Sequence, residues 1–211
     1  MAERRPIATR NSRWAAAAAR SLARSRITPN MISQASVVFA ALAGLAFWIS
    51  ARTGATASAL LLITGALFCQ LRLLCNLFDG MVAVEGGQAT PDGPFWNEAP
   101  DRFADIAILV GAGLALDQPT LGFAAATAAV LTAYIRELGR SEGAPVDFSG
   151  PMAKPQRMAA ITLGAVLGAG EIITTGSQWA LTLTLWAVAL GASFTALRRS
   201  ARLIAHLKTR V

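Results

Sequence analysis

The sequence predicts an all-α integral membrane protein: a bundle of six transmembrane helices preceded by an N-terminal amphipathic surface helix. Three observations carry that prediction. Of 211 residues, 54% are hydrophobic and only 15% charged, whereas a soluble domain carries about a quarter charged residues. Mean hydropathy is +0.48. The excess of Ala, Leu, Gly and Ile falls in long runs, with basic residues collected on alternate connections between them.

Each span needs roughly 20 apolar residues. Six segments fit, at about 29–50, 55–78, 98–116, 119–138, 157–173 and 178–198, the fifth being short and Gly-rich. Loop signals separate them: Arg52-Thr53-Gly54, the stretch from Gly86-Gly87 to Gly93-Pro94, Gln118-Pro119, and Gly139 to Pro155. The chain divides into a basic segment, 1–28, and one membrane domain, 29–211, with no soluble domain and no repeat. No cleavable signal is expected, because the first 28 residues are Arg-rich and Ala51-Arg52-Thr53-Gly54 is a poor processing site.

Basic residues set the orientation. With six spans, both termini share a side with the 79–97 and 139–156 connections. That side collects Arg4, Arg5, Arg10, Arg13, Arg20, Arg24 and Arg26, then Arg136, Arg140, Lys154 and Arg157, then Arg198, Arg199, Arg202, Lys208 and Arg210. The opposite side has Arg52 alone, so both termini are expected in the cytoplasm. Trp48 and Trp179 then fall in the far aromatic belt. Residues 10–26, RNSRWAAAAARSLARSR, predict a helix lying on the anionic leaflet, with Ala and Trp14 as its apolar face. A pI of 10.9 is also compatible with nucleic-acid binding, but the basic residues flank spans and topology accounts for them; no nucleic-acid partner is expected. Cys69 and Cys75 lie six apart and do not face one another on a helix, so they read as packing residues.

The polar residues concentrate in LLCNLFDGMVAVEGGQATPDGPFWNEAPDR, 73–102. Asn76 and Asp79 are three apart at the end of the second span, and Asn97 and Asp101 four apart at the start of the third; each pair shares a helix face. Asp105 continues that face one turn deeper. Read singly, Asp79-Gly80 is an ordinary turn signal and the amides satisfy local hydrogen bonds. Four such groups on consecutive spans instead mark a site, because ionisable groups within spans are costly. The donors are all oxygen, which selects a hard cation such as Mg²⁺, Mn²⁺ or Ca²⁺. At a leaflet boundary such a site suits an amphiphilic phosphate ester.

These residues bring the chain to a known family. N-L-F-D-G-M-V-A-V, eight residues (85–92), then G-P-F-W-N-E-A-P-D resembles the signature of the CDP-alcohol phosphotransferases, D-x-x-D-G-x-x-A-R, eight residues, G-x-x-x-D-x-x-x-D. Asp79, Gly80, Ala83, Gly93 and Asp101 match; Asn76, Val84 and Asn97 depart. Thr28-Pro29-Asn30 is similar to the family's motif before its first span. Ala133-Tyr134-Ile135-Arg136 and Lys154-Pro155-Gln156-Arg157 resemble the end of its fourth span and the start of its fifth. The likeness covers nearly the whole chain.

The resemblance implies a phospholipid-synthesising transferase that moves a phosphatidyl group from CDP-diacylglycerol to a polar alcohol and releases CMP, with Mg²⁺ or Mn²⁺ as cofactor. It places Asn76, Asp79, Asn97 and Asp101 at the metal positions and Asp101 at the general-base position. Asp79, Gly80, Ala83 and Gly93 fall against the nucleotide. Arg136, Lys154 and Arg157 become candidates for binding a phosphate of the acceptor or donor. Acceptors implied by the family are glycerol phosphate, inositol or its phosphate, serine and other polyols. Two amides in place of acids remove two charges, which at an effective dielectric of about 20 costs several kcal/mol of metal affinity. One ion is then held, or two with substrate phosphates completing the site. Glu85 and Glu98 are nearby acids, but Glu98 points about 100° away from Asn97 on a helix. The alternative is a catalytically impaired relative that binds CDP-lipid or scaffolds other membrane lipid enzymes. Gly164-Ala-Val-Leu-Gly168 marks helix packing within the bundle or a homodimer. Arg72 and Arg102 are expected to pair with buried neighbours such as Asp105, and the composition suggests a bacterial inner membrane protein.

Overall fold

A computed structural model describes residues 12–25, 27–85, 87 and 90–209. Arg4, Arg5, Arg10, Arg26, Arg210 and Gly86, named above, lie outside the described residues, as does the Glu85 side chain. The described residues form seven helices: α1 (Arg13–Ala23), α2 (Pro29–Ser50), α3 (Ala55–Glu85), α4 (Gly93–Ala115), α5 (Pro119–Ser141), α6 (Lys154–Thr174) and α7 (Trp179–Lys208). Four of the six long helices start with a proline in their first two positions, where its missing N–H costs nothing. Thr28 caps α2 by accepting from the Met31 N–H at 3.3 Å.

The helices α2, α3, α5, α6 and α7 are long and apolar enough to cross a membrane. The third expected span is also helical, as α4, but it does not meet that standard of composition because Glu98, Asp101, Arg102 and Asp105 fall in its first half. The helices α3, α4 and α7 also run past the expected limits of 78, 98 and 198. Span limits follow apolarity, whereas the helical hydrogen-bond ladder continues into polar sequence beyond the hydrocarbon.

The six long helices close a ring in which α2 packs on α3, α3 on α6, α6 on α7, α7 on α5, α5 on α4, and α4 back on α2. Alanine dominates the core (Ala40, Ala43, Ala66, Ala104, Ala112, Ala125, Ala129 and Ala165), with Phe47, Leu62, Ile108 and Leu185 filling the wider gaps. Small residues permit the close crossings. A Cβ on Gly44 would stand 2.3 Å from the Ala107 carbonyl oxygen, and one on Gly111 would stand 2.4 Å from the Gly44 Cα. One on Gly164 would meet Thr184 Oγ1 at 2.5 Å, so that glycine serves the packing of α6 on α7.

Helix α1 packs across α3. Ala15 and Ala19 are buried against Leu77, Met81 and Val82, and Trp14 meets Phe78 edge-on with centroids 6.1 Å apart. Arg13 and Arg20 are exposed on the other side. Both cysteines are free; Cys69 lies in the main core and Cys75 against the α1 cluster.

Candidate active site

The site forms where the C-terminal part of α3 meets the N-terminal ends of α4 and α6. Helical periodicity stacks Cys69, Arg72, Asn76 and Asp79 on one face of α3, at spacings of three, four and three. On α4, Asn97, Asp101 and Asp105 recur every four residues. Lys154 and Arg157 occupy the first turn of α6, three apart.

Asp101 is the meeting point, 7% exposed. Its Oδ1 accepts from Arg72 Nη2 at 3.0 Å and from the Asn76 side-chain amide. Its Oδ2 accepts from Lys154 Nζ, and Arg102 lies 3.7 Å away. One turn deeper, Asp105 is fully buried, accepts from Arg157 Nη2 at 2.6 Å and stands 3.8 Å from Arg72. Arg157 also donates to Thr132 Oγ1 and to the Met152 carbonyl, tying α5 and the 142–153 connection to the same point. Burial of a charge is tolerated only when it is paired and hydrogen-bonded, and here Asp101 and Asp105 interleave with Arg72, Lys154 and Arg157.

Asp79 lies beside this array on α3. Ser33 of α2 donates to its Oδ2 at 2.7 Å, and the Gly80 N–H donates to its Oδ1 at 2.6 Å. Because the Asn76 NH₂ is turned to Asp101, its Oδ1 is left inward, buried and without a hydrogen-bond partner among the described residues. Asn97 is exposed and is not among the side chains that close on Asp101. Gly80, Ala83 and Gly93 are half-buried along the same rim, and a Cβ on Gly93 would have only Thr90 Oγ1, at 3.7 Å, within 4 Å.

Of the three candidate phosphate binders, Lys154 and Arg157 are bound to Asp101 and Asp105. Arg136 stands apart: it pairs with Glu98 and Glu137, and its guanidinium lies 5.6 Å from the Phe148 ring centroid. Arg102 pairs with Glu98 at 3.5 Å. A cavity of about 340 Å³ opens beneath the 142–153 connection, lined by Arg136, Gly139, Asp147, Arg199, Arg202 and His206. Its polar wall was not foreseen from the sequence, where Arg199 and Arg202 count only as flanking charge. Arg199 is buried and donates to the carbonyls of Ser149 and Thr132, the latter at 2.7 Å. The signal was present: Val188, Ala192, Thr195 and Arg199 lie on one buried stripe at spacings of four, three and four. The Asp147 carboxyl is held below its ordinary pKa: partial burial raises it, but donation from Ser149 and Arg202 more than offsets that.

A hard divalent ion fits part of this donor set. The unpartnered Asn76 Oδ1, with the Asp79 carboxylate that accepts from Ser33 and the Gly80 N–H, would be its oxygen donors on one face of α3. Asp101 is otherwise engaged, and among the described residues no group of three His, Cys, Asp or Glu side chains forms an ion-binding cluster.

The fold and site define an all-α integral membrane protein that gathers carboxylates and basic side chains at one end of its helices. No family model matches the chain. It is 25% identical over 188 residues to a phosphatidylinositol phosphate synthase of Mycolicibacterium smegmatis, a match covering 86% of this chain and 79% of that protein. Its fold is similar to crystal structures of the Mycobacterium tuberculosis phosphatidylinositol phosphate synthase. The one with CDP-DAG bound has a TM-score of 0.75 at 20% identity, covering 91% of this chain and 94% of that one. The complex with manganese and citrate also has a TM-score of 0.75 at 20% identity, covering 90% and 88%. The spacing of the signature residues 76–101 is thus found in a chain similar in sequence and fold to these synthases.

Proposed function

We propose that this protein transfers the phosphatidyl group of CDP-diacylglycerol to the hydroxyl of a polar alcohol and releases CMP. The observation that carries this reading is the convergence at Asp101: Asn76 from α3 and Lys154 from α6 meet the one carboxylate that the family signature places as base. Asn76 Oδ1 and Asp79 would hold a divalent ion, Mg²⁺ or Mn²⁺, and such an ion would supply screening of the pyrophosphate charge. The acceptor oxygen attacks the phosphorus that carries the diacylglycerol, the pyrophosphate P–O bond breaks, and CMP leaves with the bonding electrons. Asp101 Oδ2 takes the acceptor proton, with Lys154 holding that carboxylate in place until the alcohol arrives. Gly80, Ala83 and Gly93 leave room along the rim for the cytidine. Arg136, beside the 340 Å³ cavity, meets a phosphate or polyol of the acceptor.

In this reading all six long helices cross a bacterial inner membrane as one domain, 29–211, with the site and both termini in the cytoplasm. The charges of α4 are accommodated because they pair inside the ring. Helix α1 lies on the anionic leaflet, its arginines outward.

A non-catalytic relative that binds CDP-lipid or scaffolds other enzymes is the second reading. It is favoured by the engaged oxygens of Asp101 and by Val84, 57% exposed where the signature has arginine. Purified protein with Mn²⁺, CDP-diacylglycerol and an acceptor panel, followed by CMP release and lipid mass spectrometry, separates the two. Release is expected with one acceptor, and Asp101→Asn is expected to lower it by about 100-fold or more. Full activity in Asp101→Asn removes the base assignment; bound CDP-lipid without CMP release from any acceptor establishes the second reading.

A further inference from the structure

We propose that Thr195 of α7 is a positioning residue for Lys154: it seats the 149–152 segment so that the first residue of α6 meets Asp101. The consequence for turnover rests on the reading of Asp101 as the base. The side chains that close on Asp101 come from α3, α4 and α6, whereas α7 is the bed on which the approach to α6 lies. Thr195 has no exposed surface. Its hydroxyl donates to the Gly191 carbonyl at 2.7 Å, which leaves its lone pairs to accept from the Met152 N–H at 3.2 Å. That N–H stands two residues before Lys154, outside the hydrogen-bond ladder of α6, so the hydroxyl supplies a partner that the helix cannot.

Two glycines make the fit. Gly150 has a φ of +136°, a conformation that favours glycine, and a Cβ there would stand 2.3 Å from Thr195 Cγ2. A Cβ on Gly191, one turn from Thr195, would stand 2.9 Å from Met152 Cβ. One turn the other way, the buried Arg199 donates to the Ser149 carbonyl at 3.0 Å. Residues 191, 195 and 199 share one face of α7 and together hold 149–152. The segment in turn grips α6, because the Met152 carbonyl accepts from Arg157 Nη1 at 3.0 Å and Arg157 reaches Asp105 at 2.6 Å. Lys154 is thereby fixed from both sides, by Thr195 through Met152 and by Arg157 one turn on, and its ammonium falls on Asp101 Oδ2.

The chain has two lysines, Lys154 and the exposed Lys208, so an amine-acylating reagent reads the placement of Lys154 with an internal reference. The full purified chain in nanodiscs, without divalent ion or substrate, is labelled and both sites are followed by mass spectrometry. Thr195→Val keeps the shape and removes the hydroxyl, and Lys154 labelling relative to Lys208 is expected to rise about threefold or more as the ion pair loosens. Thr195→Ser keeps the hydroxyl and is expected to label as wild type. Gly191→Ala, which pushes on Met152 from the same face, is expected to raise the label too, and it decides should Thr195→Val fail to fold. In CMP release, Thr195→Val is expected to lower kcat about tenfold with KM for CDP-diacylglycerol within about twofold, and Thr195→Ser to restore it. Wild-type labelling in folded Thr195→Val and Gly191→Ala overturns the proposal, as does Thr195→Ser behaving like Thr195→Val. The labelling needs no turnover. A raised label on a chain that releases no CMP from any acceptor sinks the transferase reading alone, and an unchanged label beside CMP release sinks this proposal alone.

Discussion

Asp105 has no exposed surface and faces two arginines that are equally enclosed, Arg72 at 0% and Arg157 at 2% exposure. Removing one member of a buried ionic cluster strands the others, at a cost of about 3–5 kcal/mol. Asp105→Leu is therefore expected to destabilise the protein by about 3 kcal/mol or more, with Arg157 the chief casualty because its Nη2 bond of 2.6 Å has no other acid to take over. Arg140, half-exposed and 3.6 Å from Glu137, provides the contrast: Arg140→Gln is expected to cost no more than about 0.5 kcal/mol. Thermal unfolding in detergent, followed by reaction of the buried Cys69 thiol with a fluorogenic dye, measures both. Equal midpoints for the two variants would remove the cluster from any structural role. The pairing of Arg72 with Asp105 was legible because a charged side chain on an apolar stripe must find a partner. Its closer engagement with Asp101, at 3.0 Å, was not, because three helices must be placed before the nearer carboxylate is known.

Crossings between helices fix where the site residues stand, and at the α2–α4 crossing backbone meets backbone. Gly44 and Gly111 face one another with no room for a methyl group, the obstructing atoms being backbone. Gly44→Val or Gly111→Val must push α4 outward, at a cost of about 1–3 kcal/mol or more, and shift Asp101 relative to Lys154. Gly170 sits inside α6, and a Cβ there would meet no neighbouring element within 4 Å, so Gly170→Ala is expected to be neutral or stabilising by about 0.5–1 kcal/mol. The same dye assay ranks the three, and a destabilised Gly170→Ala beside an unaffected Gly44→Val would contradict the packing. Helix existence was readable from the apolar runs, and their ends less so. α3 continues to Glu85 and α7 to Lys208 because polar residues outside the hydrocarbon still propagate a helix. The small residues of α2 and α4 were visible one by one, but the partner of each glycine depends on the ring order, which no local pattern encodes. Gly164 had two readings, and the contact with Thr184 assigns it to packing within the chain.

On the scale of the whole molecule, the ends of five helices are fastened together. Lys154 and Asn76 join α6 and α3 to Asp101 of α4, Arg157 reaches Thr132 of α5, and Arg199 of α7 reaches the same residue's carbonyl. These contacts put the α3–α4 and α5–α6 connections at one end of the ring with the C-terminal part of α7. The opposite end carries Arg52, which donates to the Trp48 carbonyl at 2.9 Å and lies 4.6 Å from the Trp48 ring centroid. Basic residues stay in the cytoplasm, so Ser141 is expected inside and Thr53 outside. The disputed element is α4, whose composition falls short of a span although its helix is 23 residues long, enough at 1.5 Å per residue for a hydrocarbon core of about 30 Å. Single cysteines at Thr53, Thr120, Ser141 and Ser177, placed in a chain carrying Cys69→Ala and Cys75→Ala, settle this with a membrane-impermeant maleimide. If α4 crosses, Thr53, Thr120 and Ser177 label in intact cells and Ser141 only after permeabilisation. If instead Thr53 and Ser141 label in intact cells while Thr120 and Ser177 are protected, α4 returns without crossing and the six-span reading fails. If Ser141 labels in intact cells while Thr53 is protected, the orientation is inverted, and Asp101 could not meet a cytoplasmic CDP-lipid.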